Sequence, residues 1–126
     1  MARVLVVDDD DEISMLLRSA LESANFEVET AVEGRAALDA LGRTRPDAIV
    51  LDLAMPGING WQFVAACREL PQGRDIPILV ISAEYDLRTV ADKLHARGVR
   101  ACLAKPFDVD LLVSVVEHLV ATRAPA

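Results

Sequence analysis

The stretch RVLVVDDDDEISMLLRSAL, Arg3–Leu21, decides the reading of the chain because it changes character twice within a few turns' length. Arg3 to Val7 is apolar from Val4 onward without polar alternation, the mark of a strand buried on both faces. Four aspartates follow, Asp8, Asp9, Asp10 and Asp11. Beyond them Ile13, Leu16, Leu17, Ala20 and Leu21 recur at helical spacing. A strand, β1, an acidic turn and an amphipathic helix, α1, make one βα unit. Crowded carboxylates repel one another, so a cation, a helix amino terminus or solvation must offset the cluster.

The pattern repeats along the chain. FEVETA (Phe26–Ala31) alternates as β2, and the helix α2 runs through Ala36, Ala37, Leu38 and Leu41, with Gly42 expected to close it. DAIVLDL (Asp47–Leu53) is β3, ending near Asp52, and a turn AMPGING leads to α3 from about Gly60 to Leu70. Pro71, Gly73 and Pro77 punctuate the approach to β4, IPILVISA (Ile76–Ala83). The helix α4 carries Leu87, Val90, Ala91 and Leu94 and stops at Gly98. RACLA (Arg100–Ala104) is β5; Asp108 then caps α5, with Leu111, Leu112, Val115, Val116 and Leu119. Five βα units with short links argue for an open parallel sheet covered by helices on both faces, since parallel strands need crossover connections.

Composition bounds the rest. The 126 residues suit one domain, expected over 1–121, with 122–126 as a tail or the start of a linker. Hydrophobic residues make up 52% and aromatics 4%, which predicts an aliphatic core. No apolar run approaches the ~20 residues of a membrane span, and charge follows Met1 too soon for a signal peptide, so a cytoplasmic location is expected. Cys67 and Cys102 lack CxxC spacing and are expected to be buried free thiols. A net charge of −7 argues against direct nucleic-acid binding by this domain.

In open α/β sheets ligands bind outside the carboxyl ends of the strands. Asp8 and Asp9 end β1, Asp52 ends β3, Ser82 ends β4 and Lys105 follows β5, so one edge is predicted to collect carboxylates, a hydroxyl and an ammonium. Two carboxylates ~4 Å apart repel by roughly 4 kcal/mol at an effective dielectric near 20. A divalent cation is the natural remedy, and an all-oxygen donor set favours Mg²⁺, with Mn²⁺ as the second choice. Such an edge suits phosphoryl transfer, where charge on three equatorial oxygens is stabilised by positioned partners. Asp52 is then the nucleophile, and the product an acyl phosphate that water can remove.

With these positions in line, the chain resembles the receiver domain of bacterial two-component response regulators over nearly its full length. The motifs that carry the resemblance are VLVVDDD, DAIVLDLAMPGINGW, PILVISA and CLAKPF, in order and with family-like spacing. It implies a flavodoxin-like, doubly wound (βα)5 fold with a five-stranded parallel sheet in the order 2-1-3-4-5. It also implies Asp52 as phosphoacceptor, Asp9 as a direct Mg²⁺ ligand, Asp8 as a ligand through water, and the Ala54 backbone carbonyl as a further contact. Ser82 is implied as the switch hydroxyl and Lys105 as the phosphate contact, with a cis Lys105–Pro106 bond.

One departure stands out. Where the family commonly has an aromatic residue, three positions before the lysine, this chain has Cys102. Tyr85, at the start of α4, is a candidate substitute, against the plainer reading of an exposed tyrosine. Ala54 and Glu84 match the pair of variable positions that tune phosphate lifetime.

The resemblance implies a signalling switch that takes phosphate from a histidine kinase or histidine phosphotransfer protein and acts on a downstream protein through the α4–β5–α5 face. It would be a monomer or a dimer through that face, catalysing only its own phosphorylation and dephosphorylation. One alternative is a pseudo-receiver, an interaction module not controlled by phosphorylation. The other is a small-molecule phosphatase of haloacid-dehalogenase type, disfavoured because Ala54 stands where those enzymes place a second aspartate.

Plainer readings cover the remaining polar residues. Asp10, Asp11 and Glu12 suit a helix amino terminus. His95 and His118 are expected on solvated helix faces, Trp61 as a packing residue, and Arg88, Lys93, Arg97 and Arg100 as a basic surface.

Overall fold

The computed structural model describes residues 1–55, 57, 59–83 and 87–123. Five strands alternate with five helices: β1 Arg3–Val7, α1 Asp11–Ser23, β2 Glu27–Ala31, α2 Gly34–Thr44, β3 Ala48–Asp52, α3 Gly60–Glu69, β4 Ile78–Ser82, α4 Leu87–Ala96, β5 Ala101–Ala104 and α5 Val109–Ala121. The strands form one parallel sheet in the order β2-β1-β3-β4-β5, the doubly wound arrangement the sequence implied.

Strand periodicity sorts the core into two layers. Leu5, Val7, Ile49, Leu51, Ile78 and Val80 pack with Leu41 of α2, Phe63 of α3 and Leu94 of α4. The alternate residues Val4, Val6, Val50, Leu79 and Ile81 pack with Leu17 and Leu21 of α1 and Leu112 and Val116 of α5. Every residue of β3 and β4 is buried, which is why these segments read as unbroken apolar runs. The edge strands β2 and β5 are more exposed.

Four details differ from the sequence reading. Helix α2 runs through Gly42, which is exposed with open space where a Cβ would stand, and ends instead at Arg45 in the left-handed region, φ 47°. Leu16 and Leu111, assigned to buried stripes, are 49% and 50% exposed. On α1 the inward stripe is Ser14, Leu17 and Leu21, so a serine takes the place given to a leucine. Cys67 is buried as expected, whereas Cys102 is only partly covered; both are free thiols. No helix among the described residues is long and apolar enough to cross a membrane.

The helix caps follow the sequence closely. Asp10 is the N-cap of α1 and accepts the backbone N–H groups of Glu12 and Ile13, with Asp11 and Glu12 in the first turn. Asp108 caps α5 in the same way. The aspartate cluster therefore divides: Asp10, Asp11 and Glu12 serve the helix terminus, where negative charge is stabilised.

Candidate functional site

The sheet order reverses beside β1: β2 lies on one side of it and β3 on the other. At that switch point the β1 and β3 carboxyl ends lie side by side, with Val7 opposite Leu51 in register, so Asp8 and Asp52 emerge as neighbours. Asp8 falls two residues after Val6 and Asp52 two after Val50, both in the layer against α1 and α5, and Lys105 falls two after Leu103 of the same layer. The period of two thus delivers three charged side chains to one side of the sheet edge.

Lys105 Nζ donates to Asp8 Oδ2 at 3.0 Å and to Asp52 Oδ2 at 3.2 Å. Asp8 is fully buried; its Oδ1 accepts the Asp10 N–H at 2.9 Å. Asp52 is 4% exposed and its Oδ1 accepts the Ala54 N–H at 3.1 Å. Asp9, next in the turn, is exposed, and one carboxylate oxygen from each of Asp8, Asp9 and Asp52 lies within 4.8 Å of the others. Ser82 is buried at the end of β4, opposite Ala104 in register, on the strand next to that of Asp52. The Lys105–Pro106 peptide is cis.

The electrostatics follow from the burial. Desolvation, aided by the charge of Asp8, holds the Asp52 carboxyl above its ordinary range, against the opposing Ala54 N–H and Lys105 ammonium. For Lys105 burial pulls the other way, yet its hydrogen bond and charge pairing with Asp8 and its contacts with Asp52 raise it overall. Three carboxylates face one ammonium, leaving a deficit of two positive charges. The oxygen-only donor set and that deficit fit a divalent hard cation of the Mg²⁺ type and do not suit zinc.

The model of the response regulator receiver domain matches residues 4–117. This chain belongs to that family. The receiver domain is 41% identical to the transcriptional regulatory protein PrrA of Mycobacterium leprae over 121 residues, 96% of this chain and 51% of the relative. It thus spans about half the length of the curated relatives it matches. Among solved structures it resembles the chemotaxis protein CheY4 of Vibrio cholerae, with a TM-score of 0.87 and 35% identity, covering 94% of this chain and 98% of that one. It also resembles the receiver domain of the sensor histidine kinase PA1611 of Pseudomonas aeruginosa, with a TM-score of 0.85 and 25% identity, covering 96% and 98%. That structure has a magnesium ion coordinated in its active-site cleft.

The other residues singled out in the receiver sequence do not join the acidic edge. Cys102 packs against the core beside α4, with Val90 in the same layer, and burial raises its thiol pKa. His95 and His118 are exposed, and the group of carboxylates, thiols and imidazoles that can share an ion among the described residues is Asp8, Asp9 and Asp52. Tyr85 and Glu84 lie outside the described residues. Arg100 donates to Thr122 Oγ1 at 3.1 Å, and Arg123, placed in the tail, pairs with Asp47 at 3.2 Å.

Two residues that position the edge escaped the sequence reading. Buried Ser14 donates from Oγ to the Asp8 carbonyl at 3.3 Å. The available signal was a lone small polar residue in register with Leu17 and Leu21. Gly60 is the other: a Cβ there would lie 2.5 Å from Leu53 Cα and 2.8 Å from the Asp52 carbonyl oxygen. Only a glycine lets α3 start this close to the end of β3.

Proposed function

We propose that this receiver domain is a phosphorylation-dependent switch that accepts a phosphoryl group on Asp52 from a histidine kinase or histidine phosphotransfer protein. The observation that carries this reading is the single ammonium of Lys105 shared between Asp8 and Asp52 at the switch point of the sheet. A carboxylate oxygen of Asp52 attacks phosphorus, the bond from phosphorus to the donor imidazole nitrogen breaks, and the electron pair leaves with that nitrogen, which takes a proton. The product is an acyl phosphate. Attack by water on the same phosphorus restores the carboxylate and releases inorganic phosphate.

Lys105, whose ammonium already meets Asp52, is assigned one phosphoryl oxygen, and the buried Ser82 hydroxyl, at the end of the neighbouring strand β4, another. Asp8, Asp9, Asp52 and the Ala54 carbonyl are assigned to Mg²⁺, which when bound neutralises the carboxylates and the developing phosphoryl charge. Ser14 and the Asp10 N–H hold the Asp8 turn in place for that role. Small Ala54 leaves room beside Asp52, a position where a second aspartate would serve a small-molecule phosphatase; its absence weighs against that alternative.

The output is assigned to the α4–β5–α5 face, where β5 is a short, partly exposed edge strand. Turning a 1:99 population into 99:1 takes about 5.5 kcal/mol of differential interaction, so phosphate contacts to Ser82 and Lys105 must exist mainly in the active arrangement. Intact-protein mass after incubation with acetyl phosphate, with and without Mg²⁺, tests the reading. One phosphoryl adduct is expected, dependent on the metal and missing from Asp52→Asn. An adduct of equal yield on Asp52→Asn removes Asp52 from the role, and no adduct on either protein under rapid quenching favours the pseudo-receiver.

A further inference from the structure

Helix α3 grips the carboxyl end of α4 at two points. Arg68, in the last turn of α3, donates from Nε to the Arg97 carbonyl at 3.3 Å and from Nη2 to the Gly98 carbonyl at 2.9 Å. Its Nη1 donates to the Gly73 and Ile76 carbonyls, each at 2.8 Å, on the connection from α3 to β4. Two turns earlier on the same stripe of α3, at i−7, the Trp61 ring lies under the Arg97 guanidinium, with Cζ 5.3 Å from the ring centroid. The backbone of Arg97 is therefore held at one end of α3 and its side chain at the other.

The amino end of α3 is seated on the Asp52 strand end. The Gly60 N–H donates to the Leu53 carbonyl at 2.9 Å, and the absent Cβ allows contact with the Asp52 carbonyl oxygen. A capping box between Asn59 and Gln62 fixes the first turn. Trp61 is the next residue after Gly60. Asp52, the first turn of α3, the indole and Arg97 are thus consecutive in space.

We infer that the Trp61–Arg97 stack couples the chemical state of Asp52 to the position of the carboxyl end of α4, with α3 as the rigid link and Arg68 as the fixed pivot. This inference rests on the phosphoacceptor reading of Asp52. Contiguity alone is not coupling; an element with two arrangements is needed. Arg97 Nη1 also donates to the Lys93 carbonyl at 3.2 Å within α4 itself, but the two restraints that come from α3 differ in kind, and that difference supplies one. Arg68 makes four charge-assisted bonds, two of them exposed to the Arg97 and Gly98 carbonyls and two partly buried to the Gly73 and Ile76 carbonyls, and together they keep it closed. The surface stack is worth only about a two- to fivefold bias, so it can be made in one state and broken in the other. A shift of the first turn against Asp52 carries the indole with it while the Arg68 end stays pinned.

The test reads two things separately in the same samples. Intact mass after acetyl phosphate and Mg²⁺ reports modification of Asp52. Hydrogen exchange of peptides covering 91–99, with and without beryllofluoride and Mg²⁺, reports the end of α4, and emission of Trp61, the single tryptophan, reports the stack. Wild type is expected to form the adduct and to change both exchange and emission. Arg97→Ala, at an exposed position, and Trp61→Phe should form the same adduct and lose at least half of the exchange response, with Arg97→Lys retaining more of it than Arg97→Ala. An exchange response of wild-type size in Arg97→Ala, or an adduct on wild type without any change at α4, overturns the coupling alone. No adduct on wild type overturns the phosphoacceptor reading first, and the coupling with it.

Discussion

Lys105 and Asp8 lie 97 positions apart in the chain and meet at 3.0 Å, with Asp8 fully buried and the lysine side chain 15% exposed. The same ammonium reaches Asp52 at 3.2 Å. One cation therefore stands between two buried carboxylates from two neighbouring strands.

Replacing Lys105 by Met keeps much of the aliphatic stem and removes the ammonium. Two buried carboxylates are then left facing each other, a larger penalty than the pair was worth. The variant is expected to lose about 3 kcal/mol of stability in EDTA at neutral pH, with part of it regained at saturating Mg²⁺. Urea denaturation with and without the metal measures both; equal stability to wild type in EDTA contradicts the arrangement.

Asp52→Asn works in the opposite direction. Desolvation disfavours the Asp52 carboxylate, and Asp8 adds to the strain. An amide keeps an acceptor for the Ala54 N–H while Lys105 keeps Asp8. In EDTA the variant should be more stable than wild type by about 1 kcal/mol, a rise in Tm of roughly 3–6 °C. Adding Mg²⁺ should stabilise wild type more than the variant, because ligand binding raises stability in proportion to affinity and the variant lacks one carboxylate. Melting curves over a Mg²⁺ titration give the comparison.

Two glycines make a matched pair. Gly42 sits inside α2 with open space around it, so Gly42→Ala should stabilise the fold by roughly 0.5–1 kcal/mol through helix propensity. Gly60→Ala must push a methyl into the Asp52–Leu53 backbone and should cost at least ~1–3 kcal/mol. It should also slow phosphorylation, since the strand end that carries Asp52 has to move. Chemical denaturation of both variants, with adduct formation for the second, decides; stabilisation by both would mean that α3 does not pack as described.

The two thiols separate by pH and by reagent. Burial pushes Cys67 up to about 11, whereas an unfolded cysteine ionises near 8.5. Above that value the unfolded state holds fewer protons than the folded one, so stability falls as pH rises from about 8.5 to 11, by an amount on the order of 3 kcal/mol. Cys67→Ala should flatten this alkaline slope even though it lowers stability at pH 7. Iodoacetamide should label Cys102 in the native protein and Cys67 only after unfolding, which peptide mapping resolves. Labelling of Cys67 at the native rate of Cys102 would contradict its burial.

By itself the sequence determined the element order, the class of fold and the residues at the strand ends. Those properties are local: an apolar run reports burial on both faces, a 3.6 spacing reports a helix, and the residue after a buried strand must reach the sheet edge whatever the strand packs against. Asp8, Asp9, Asp52, Ser82 and Lys105 were legible for that reason, and the motifs around them implied the strand order. What the tertiary structure decided is who meets whom. Only with β1 seated beside β3 does Lys105 become common property of Asp8 and Asp52. Gly42 reads as a helix stop, but a helix end is set by where the next segment must turn, and here that is Arg45. Leu16 shares its spacing with Leu17, and which of the two turns inward depends on the helix's rotation against the sheet; it gives the inward place to Ser14, whose hydroxyl meets the Asp8 carbonyl. The hold of Arg68 and Trp61 on Arg97 has no sequence signature at all, since guanidinium contacts with carbonyls and ring faces are fixed by the placement of α3 beside α4.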